Sequence, residues 1–332
     1  MAERVSILIP AYNAEKWIKE TVESALSQTW ADKEIIVIDD GSTDRTFEVA
    51  RAFDSDAVRV LTQDNVGAAA TRNRCLGLAS GDFIQWLDAD DLLAPDKIAG
   101  QMKAAAEDRS DLVLYSSPHG VFYHRVGKAR FVPNDLWQDL SPSDWLVTTM
   151  SKALWMHPAG WLVSRRLAEK AGPWDERLSM DDDGEYFARI VAASEKVRFV
   201  RESRCYYRQS SFRQLSRNMS FRAGMSLVLS AELRIRTLMS LEDSDRARSA
   251  ALAFLQARMP AFYPEGTAAL EKLNAAASKL GGELVPPRLN RRARLMQRLF
   301  GPEWGRGLMI CFRRLRMARA VKWDELMDRF GL

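Results

Sequence analysis

Apolar and polar residues follow two periods along the first half of the chain. Val5–Ile9, Glu34–Ile38, Val58–Leu61 and Phe83–Leu87 are short, mostly apolar runs, as expected of strands buried on both faces. Between them the period lengthens. Glu15–Gln28 sets Trp17, Ile18, Val22, Ala25 and Leu26 on one helical face. Ser42–Phe53, capped by Ser42 or Thr43, and Gly67–Ala79 read as two further helices. Strands alternating with helices of this length predict an α/β fold built on βαβ units and a mainly parallel sheet. Ligands of such sheets gather beyond the carboxyl ends of the strands. "IPAYN", "DDGSTD" and "LDADD" all fall at those ends, so the three are expected along one edge.

Beyond residue 110 the pattern is less regular. Asp111–Ser116 reads as a strand and Val121–Val132 as a hairpin around Gly127. Ser143–Met150 and Leu162–Lys170 read as helices. "GPWDERLSMDDDGEYFARIV" (172–191) leads into an amphipathic helix with Tyr186, Phe187, Ile190 and Val191 as its apolar side. Val197–Val200 and Arg204–Tyr207 close the region as strands. After Gln209 the chain reads as helical, with breaks near Pro260, Pro264, Gly281-Gly282 and Pro286-Pro287. The expected division is an α/β domain over 1–208, with halves meeting near 110, and a helical region over 209–332.

Charge changes the picture at the far end. The 332 residues carry a net charge of +4, yet residues 288–322 hold eleven Arg and Lys against one acid, Glu303. That is a local balance of +10 against +4 for the whole, so the remainder sums to −6. Leu295, Leu299, Leu308 and Phe312 fall opposite the arginines on helical faces. Such a tail suits an anionic membrane surface, or packs on the body or on a second copy of the chain. An acidic body with its positive charge confined to a tail argues against a nucleic-acid binder. Cys75, Cys205 and Cys311 form neither a zinc spacing nor a disulfide framework, as in a reducing compartment. No signal peptide is expected, and no run of 18 apolar residues occurs. A cytoplasmic protein, peripheral on the inner face of the membrane, is expected.

The chemistry concentrates in carboxylates. "GDFIQWLDADD" ends an apolar strand in Asp88, Asp90 and Asp91. A D-x-D there is either a solvated acidic loop or an oxygen site for Mg²⁺ or Mn²⁺ completed by substrate phosphates. "IIVIDDGSTDRT" ends a second strand in Asp39 and Asp40, which either cap a turn or accept a nucleobase N–H or a ribose hydroxyl. Tyr12, after Pro10, offers an aromatic face that lids the core or stacks on a base. In "QDNVGAAATRN" Gly67 opens a helix whose amides suit a phosphate, with Arg72 one turn in.

Taken together, "PAYNAEKWIKETVESALSQTW", "EIIVIDDGSTDRT", "NVGAAATRN", "ASGDFIQWLDADD" and "DDGEYFARI" resemble, in order and spacing, the family-2 glycosyltransferases of the GT-A fold, over about residues 3–207. The resemblance implies transfer of a sugar from a nucleotide sugar, by default a UDP-sugar, to an acceptor hydroxyl with inversion. The setting it implies is synthesis of a surface or extracellular polysaccharide or glycolipid. It places Pro10 and Tyr12 around the base, Asp40 facing it, Asp39 supporting that loop, and Arg72 near the phosphates. Asp88 then stands near the ribose or metal, and Asp90 is the ligand of a divalent Mn²⁺ or Mg²⁺. Asp91 is a weaker candidate. The acidic pair falls on Asp182 and Asp183, with Asp183 as general base. The run Asp181-Asp182-Asp183 leaves the register open, and departs from the commoner Glu-Asp form. In "LWMHPAGWLVSRRL", His157 and Trp161 are the acceptor-side candidates.

Two other readings compete. A nucleotidyltransferase shares a related fold but commonly shows a G-x-G-T-R-type loop where this chain has "IPAYN". A catalytically silent binding or scaffold protein of the same fold would be favoured by loss of Asp90 or of the base, and both are present. A homo-oligomer formed through the C-terminal helices is a further expectation.

Overall fold

Alternate residues of the central strands face opposite layers. Leu8, Ile36, Ile38, Ile84 and Trp86 enter one core, whereas Ile7, Ile9, Ile35, Val37 and Phe83 enter the other. A strand covered on both faces needs apolar residues at every position, which is why these runs do not alternate with polar ones. Each fully buried Ile or Leu contributes roughly 1.5–3 kcal/mol.

The computed structural model describes residues 3–108, 110–209, 220–262, 266–286, 318–319, 321–328 and 330. In chain order its elements are β1 (Val5–Ala11), α1 (Ile18–Leu26), β2 (Lys33–Asp39), α2 (Thr46–Arg51), β3 (Val58–Thr62), α3 (Ala68–Leu78), β4 (Phe83–Trp86), β5 (Leu92–Leu93) and α4 (Lys97–Glu107). Then follow β6 (Val113–Ser116), β7 (His119–Phe122), β8 (Arg130–Phe131), α5 (Pro142–Lys152), β9 (Val163–Ser164), α6 (Arg165–Ala171), α7 (Asp182–Ala193), β10 (Lys196–Phe199) and β11 (Cys205–Arg208). Helices α8 (Phe221–Leu241), α9 (Asp245–Arg258) and α10 (Thr267–Lys279) complete the described body.

The main sheet has the order β3-β2-β1-β4-β9. Its first four strands are parallel, and β9 runs antiparallel to β4. Ala11 lies opposite Asp39 and Leu8 opposite Trp86, so the three motif-bearing ends share one edge. One sheet face carries α1, α2 and α4; the other carries α3, α5, α7 and also α8 to α10, whose Val228, Leu238, Phe254 and Leu273 join the core of Leu8 and Trp86. The C-terminal helices thus share the core of the α/β body.

Two elements differ from expectation, and one strand is added. Helix α2 starts at Thr46, not Ser42, because residues 42–44 hold the neighbouring loop: Ser42 Oγ accepts from Asn13 N at 2.9 Å and Thr43 N donates to Asn13 Oδ1 at 2.9 Å. The stretch Leu162–Lys170 opens as strand β9, and only then turns into α6, whose N-cap Ser164 accepts from Leu167 N at 3.1 Å. Strand β5, pairing with β11, was hidden inside the acidic motif's tail. Most of the basic stretch 288–322 lies outside the described residues. Helical residues 321–328 dock on the loop after β7, where Asp324 Oδ2 accepts from His124 N at 2.9 Å and Arg125 N at 3.1 Å. No helix among the described residues is long and apolar enough to cross a membrane.

Candidate active site

The edge is built first from backbone. Asp39 Oδ2 accepts from Ser42 N at 3.2 Å and from Thr62 Oγ1 at 3.0 Å, so Asp39 ties its own loop to β3. Gly41 follows at φ +67°, and a Cβ there would stand 2.8 Å from Asn65 N, so the turn needs glycine. The Asp40 carboxylate is buried and turned inward. It accepts from Gln63 Nε2 at 2.7 Å, Val66 N at 3.0 Å and Gly67 N at 2.9 Å, fixing the start of α3. Tyr12 beside it is half exposed, and Pro10 is partly buried at the strand exit.

Arg72 joins the two halves of the site. From α3 its guanidinium donates through Nη2 to Asp88 Oδ1 at 2.9 Å and through Nη1 to Asp182 Oδ2 at 2.6 Å. Asp88 follows β4 and Asp182 opens α7, so one planar fork connects segments 94 positions apart. The ring of Trp174 lies 4.6 Å from the guanidinium carbon and closes its face. Burial alone would depress the Arg72 pKa, but the carboxylates of Asp182, Asp88 and Asp183 outweigh it and raise it.

The three consecutive aspartates divide their partners. Asp182 pairs with Arg72. Asp181 is held by Arg234 and Arg258. Asp183 lines a cavity of about 50 Å³ with Trp145, Thr149, Trp155 and Trp161. Burial and the charges of Asp182 and Asp181 push the Asp183 carboxyl up to about 7, with Arg72 opposing.

On the other side of Arg72, Asp88 is partly exposed, whereas Asp91 is buried. Asp91 Oδ1 accepts from Arg208 N at 2.7 Å, and its Oδ2 lies 2.8 Å from His157 Nε2. His157 Nδ1 accepts from Ala159 N at 3.1 Å, which leaves its proton on Nε2 facing Asp91. One ligand atom each of Asp88, Asp91 and His157 fall within 4.8 Å of one another. His157, with Nδ1 taken by Ala159 N and its Nε2 proton turned to Asp91, has no lone pair to give, so a hard divalent cation sharing its shell with phosphates would rest on carboxylate oxygens, and the partly exposed Asp88 suits that role. Asp90 is partly buried, and its carbonyl accepts from Arg208 Nε at 2.8 Å.

His157 and Trp161, the acceptor-side candidates, are both buried; Trp161 stacks on Phe187 at 5.4 Å. The open aromatic face of that segment belongs to Trp155, which is 45% exposed and set 4.8 Å from the His119 ring and 5.5 Å from that of Tyr207. Sequence reasoning passed over Trp155, and also Arg208, which is fully buried against Trp17 and Phe122 and pairs with Glu20 at 2.6 Å. The only sequence signal for Arg208 was a charge at the end of an otherwise uncharged strand.

A family profile described as "Glycosyl transferase family 2" matches residues 6–135. GlyG, a glycosyltransferase of Streptococcus pneumoniae serotype 4, is 30% identical over 223 residues, covering 64% of this chain and 72% of GlyG. YibD, an uncharacterized glycosyltransferase of Escherichia coli K12, is 34% identical over 169 residues, and the match spans about half of each chain, 49% and 48%. Among solved structures, Staphylococcus aureus TarS 1–349 in complex with UDP-GlcNAc superposes with a TM-score of 0.67 at 16% identity, over 94% of this chain and 92% of that one. A mannosyltransferase from Pyrobaculum calidifontis in complex with GDP-Man and Mn²⁺ gives 0.53 at 18% identity, over 99% and 85%. These likenesses establish the fold as of the GT-A kind.

Proposed function

The chain belongs to the family-2 glycosyltransferases, and from that premise we propose that it transfers a sugar from a nucleoside-diphosphate sugar, by preference a UDP-sugar, to an acceptor hydroxyl with inversion. The observation that carries this reading is the Arg72 fork. It sets the acidic end of β4 against the start of α7. A single displacement needs the leaving group and the base on opposite sides of one sugar, and a fork that brings the segment of Asp88 and Asp90 beside that of Asp183 supports such an arrangement.

Each residue then has a task. Tyr12 and Pro10 frame the nucleobase, and Asp39 and Asp40 build the turn beneath it. The start of α3 and Arg72 face the diphosphate. Asp88 and Asp90 would hold a divalent cation, which when bound supplies positive charge to the departing diphosphate. Asp183 takes the proton of the acceptor hydroxyl, while Asp182, fixed to Arg72, keeps the turn in register. The GDP-Man and Mn²⁺ bound by the Pyrobaculum enzyme and the UDP-GlcNAc bound by TarS support a nucleotide-sugar donor and leave its base to experiment.

The test is nucleotide release from a panel of UDP- and GDP-sugars with Mg²⁺ or Mn²⁺. Asp90→Asn is expected to lower metal-dependent turnover about a hundredfold. Absence of release from every donor would overturn the proposal.

The acceptor side has its own prediction. Trp155 gives a rigid, half-open ring beside Asp183 that suits the apolar face of a pyranose. Trp155→Ala should raise the KM for the acceptor about tenfold, equivalent to an aromatic contact of about 1.4 kcal/mol, and leave hydrolysis of the donor alone unchanged. An unchanged acceptor KM would remove Trp155 from the site.

A further inference from the structure

The turn that presents the aspartates is gripped from outside the α/β body. Helix α8 carries Ser226, Ser230 and Arg234 at spacings of four, so the three form one stripe along it. All three are buried, on a helix whose other inward residues are mostly apolar. Ser226 Oγ accepts from Ser179 N at 2.9 Å and Met180 N at 3.0 Å, and lies 2.8 Å from Met180 O. Ser230 Oγ lies 2.6 Å from Asp181 Oδ2 and 3.0 Å from its carbonyl. Arg234 Nη1 stands 3.3 Å from both Asp181 oxygens, and Arg258 of α9 donates to Oδ2 at 3.1 Å. Phe254 backs both guanidinium groups, at 3.4 Å from Arg258 and 4.6 Å from Arg234.

The grip has a conformational purpose. Asp181 adopts φ +59°, a left-handed backbone that costs a non-glycine residue about 1 kcal/mol or more unless its surroundings enforce it. Two residues later stands Asp183. Gly184, next in line, leaves no room for a Cβ, which would collide with Asp181 Oδ1 and Arg234 Nη1. Burial pushes the Asp181 carboxyl up, but Arg234, Arg258 and Ser230 more than offset it, and it remains ionised.

We propose that α8 and α9 are part of the catalytic apparatus: Ser226, Ser230, Arg234 and Arg258 are positioning residues that lock the 179–181 turn and so set the direction of Asp183. The four lie outside residues 6–135, the stretch matched by the family profile. The proposal rests on the reading of Asp183 as base, and its test is arranged so that the two can fail separately.

The test uses the full chain and the donor identified by the panel above. Arg258→Ala and Asp181→Asn should each lower kcat for transfer about a hundredfold, as expected when a reacting group is displaced by about 1 Å. Calorimetric binding of that donor's nucleoside diphosphate with Mg²⁺ should stay within twofold of the parent. Arg258→Lys should recover part of kcat, and the double variant Asp181→Asn/Arg258→Ala should lose no more than the worse single one. Ser230→Ala, which removes one hydroxyl, serves where the arginine variant fails to fold. Arg246→Ala breaks the exposed α9 contact to Asp144 and should leave kcat unchanged. A lowered melting temperature with unaltered kcat per folded molecule in Arg258→Ala and Asp181→Asn would overturn the proposal. If Asp183→Asn loses transfer while these variants keep it, the clamp falls alone. If Asp183→Asn keeps transfer while Arg258→Ala loses it, the base lies elsewhere on the turn and the clamp stands.

Discussion

Asp183→Asn is expected to reduce transfer about a thousandfold, within the range a positioned general base supplies, while nucleotide binding stays intact. Among the described residues it pairs with no arginine, because Arg72 is taken by Asp182, and Arg234 and Arg258 by Asp181. Burial and two neighbouring charges therefore outweigh the relief that Arg72 gives from a distance, and hold its carboxyl at about 7 instead of 3.8. A base so tuned is about half ionised at neutral pH and basic enough to take a hydroxyl proton in the transition state. The sign of the pH effect follows. Below about pH 7 the group is protonated and cannot act, so kcat/KM should rise about tenfold per unit up to that point and level off above it. Stability runs the other way. Between about pH 4 and pH 7 the folded chain binds a proton that the unfolded chain has released, so this group's contribution falls as pH rises through that interval. At pH 8 the Asn variant, free of the buried charge, should melt higher than the parent. Inactivity with raised stability separates a lost base from a lost fold. Should Asp183→Asn transfer normally while Asp182→Asn does not, the base is one residue earlier.

Much of this site was legible because its parts end strands. The runs Val5–Ile9, Glu34–Ile38 and Phe83–Leu87 are apolar throughout, and the first polar residues after them had to emerge on one edge of a parallel sheet. That reasoning places Tyr12, Asp40 and Asp88 without any contact being known. It does not tell which way a carboxylate turns. Asp40 and Asp88 follow strands in similar settings, yet the first is saturated by the backbone of residues 66–67 and the second is left to Arg72. The difference lies in where α3 begins, a tertiary matter. His157 and Trp161 are candidates because an aromatic face suits a sugar ring; the structure buries both, with Trp161 on the cavity of Asp183, and leaves Trp155 as the exposed ring of that segment. The stripe Ser226, Ser230, Arg234 was visible as a polar row in an apolar helix, but its partners, residues 179–181, lie 46 to 53 positions away and no local period links them.

Arg72→Ala should have the second largest effect, on stability and activity together. The side chain is buried, and removing it leaves Asp182, itself largely buried, without its counter-charge, a loss of about 3 kcal/mol for a broken buried pair. Asp88, more exposed, is stabilised less by the arginine. Two carboxylates freed to repel would drive the end of β4 from the start of α7, and turnover should fall at least a hundredfold as the two sides lose their spacing. Arg72→Lys is the sharper experiment. A lysine keeps the charge and relieves part of the instability, but a single ammonium on a flexible stem cannot hold two carboxylates in the fixed geometry of a planar fork, nor stack under Trp174 as a guanidinium does. The lysine variant should therefore melt closer to the parent than Arg72→Ala does, yet remain at least tenfold slower. Adding Asp182→Asn to Arg72→Ala should restore stability by removing the orphaned charge, without restoring turnover. Full activity in Arg72→Lys would show that charge alone is needed, and that the fork does not set the distance between the leaving group and the base.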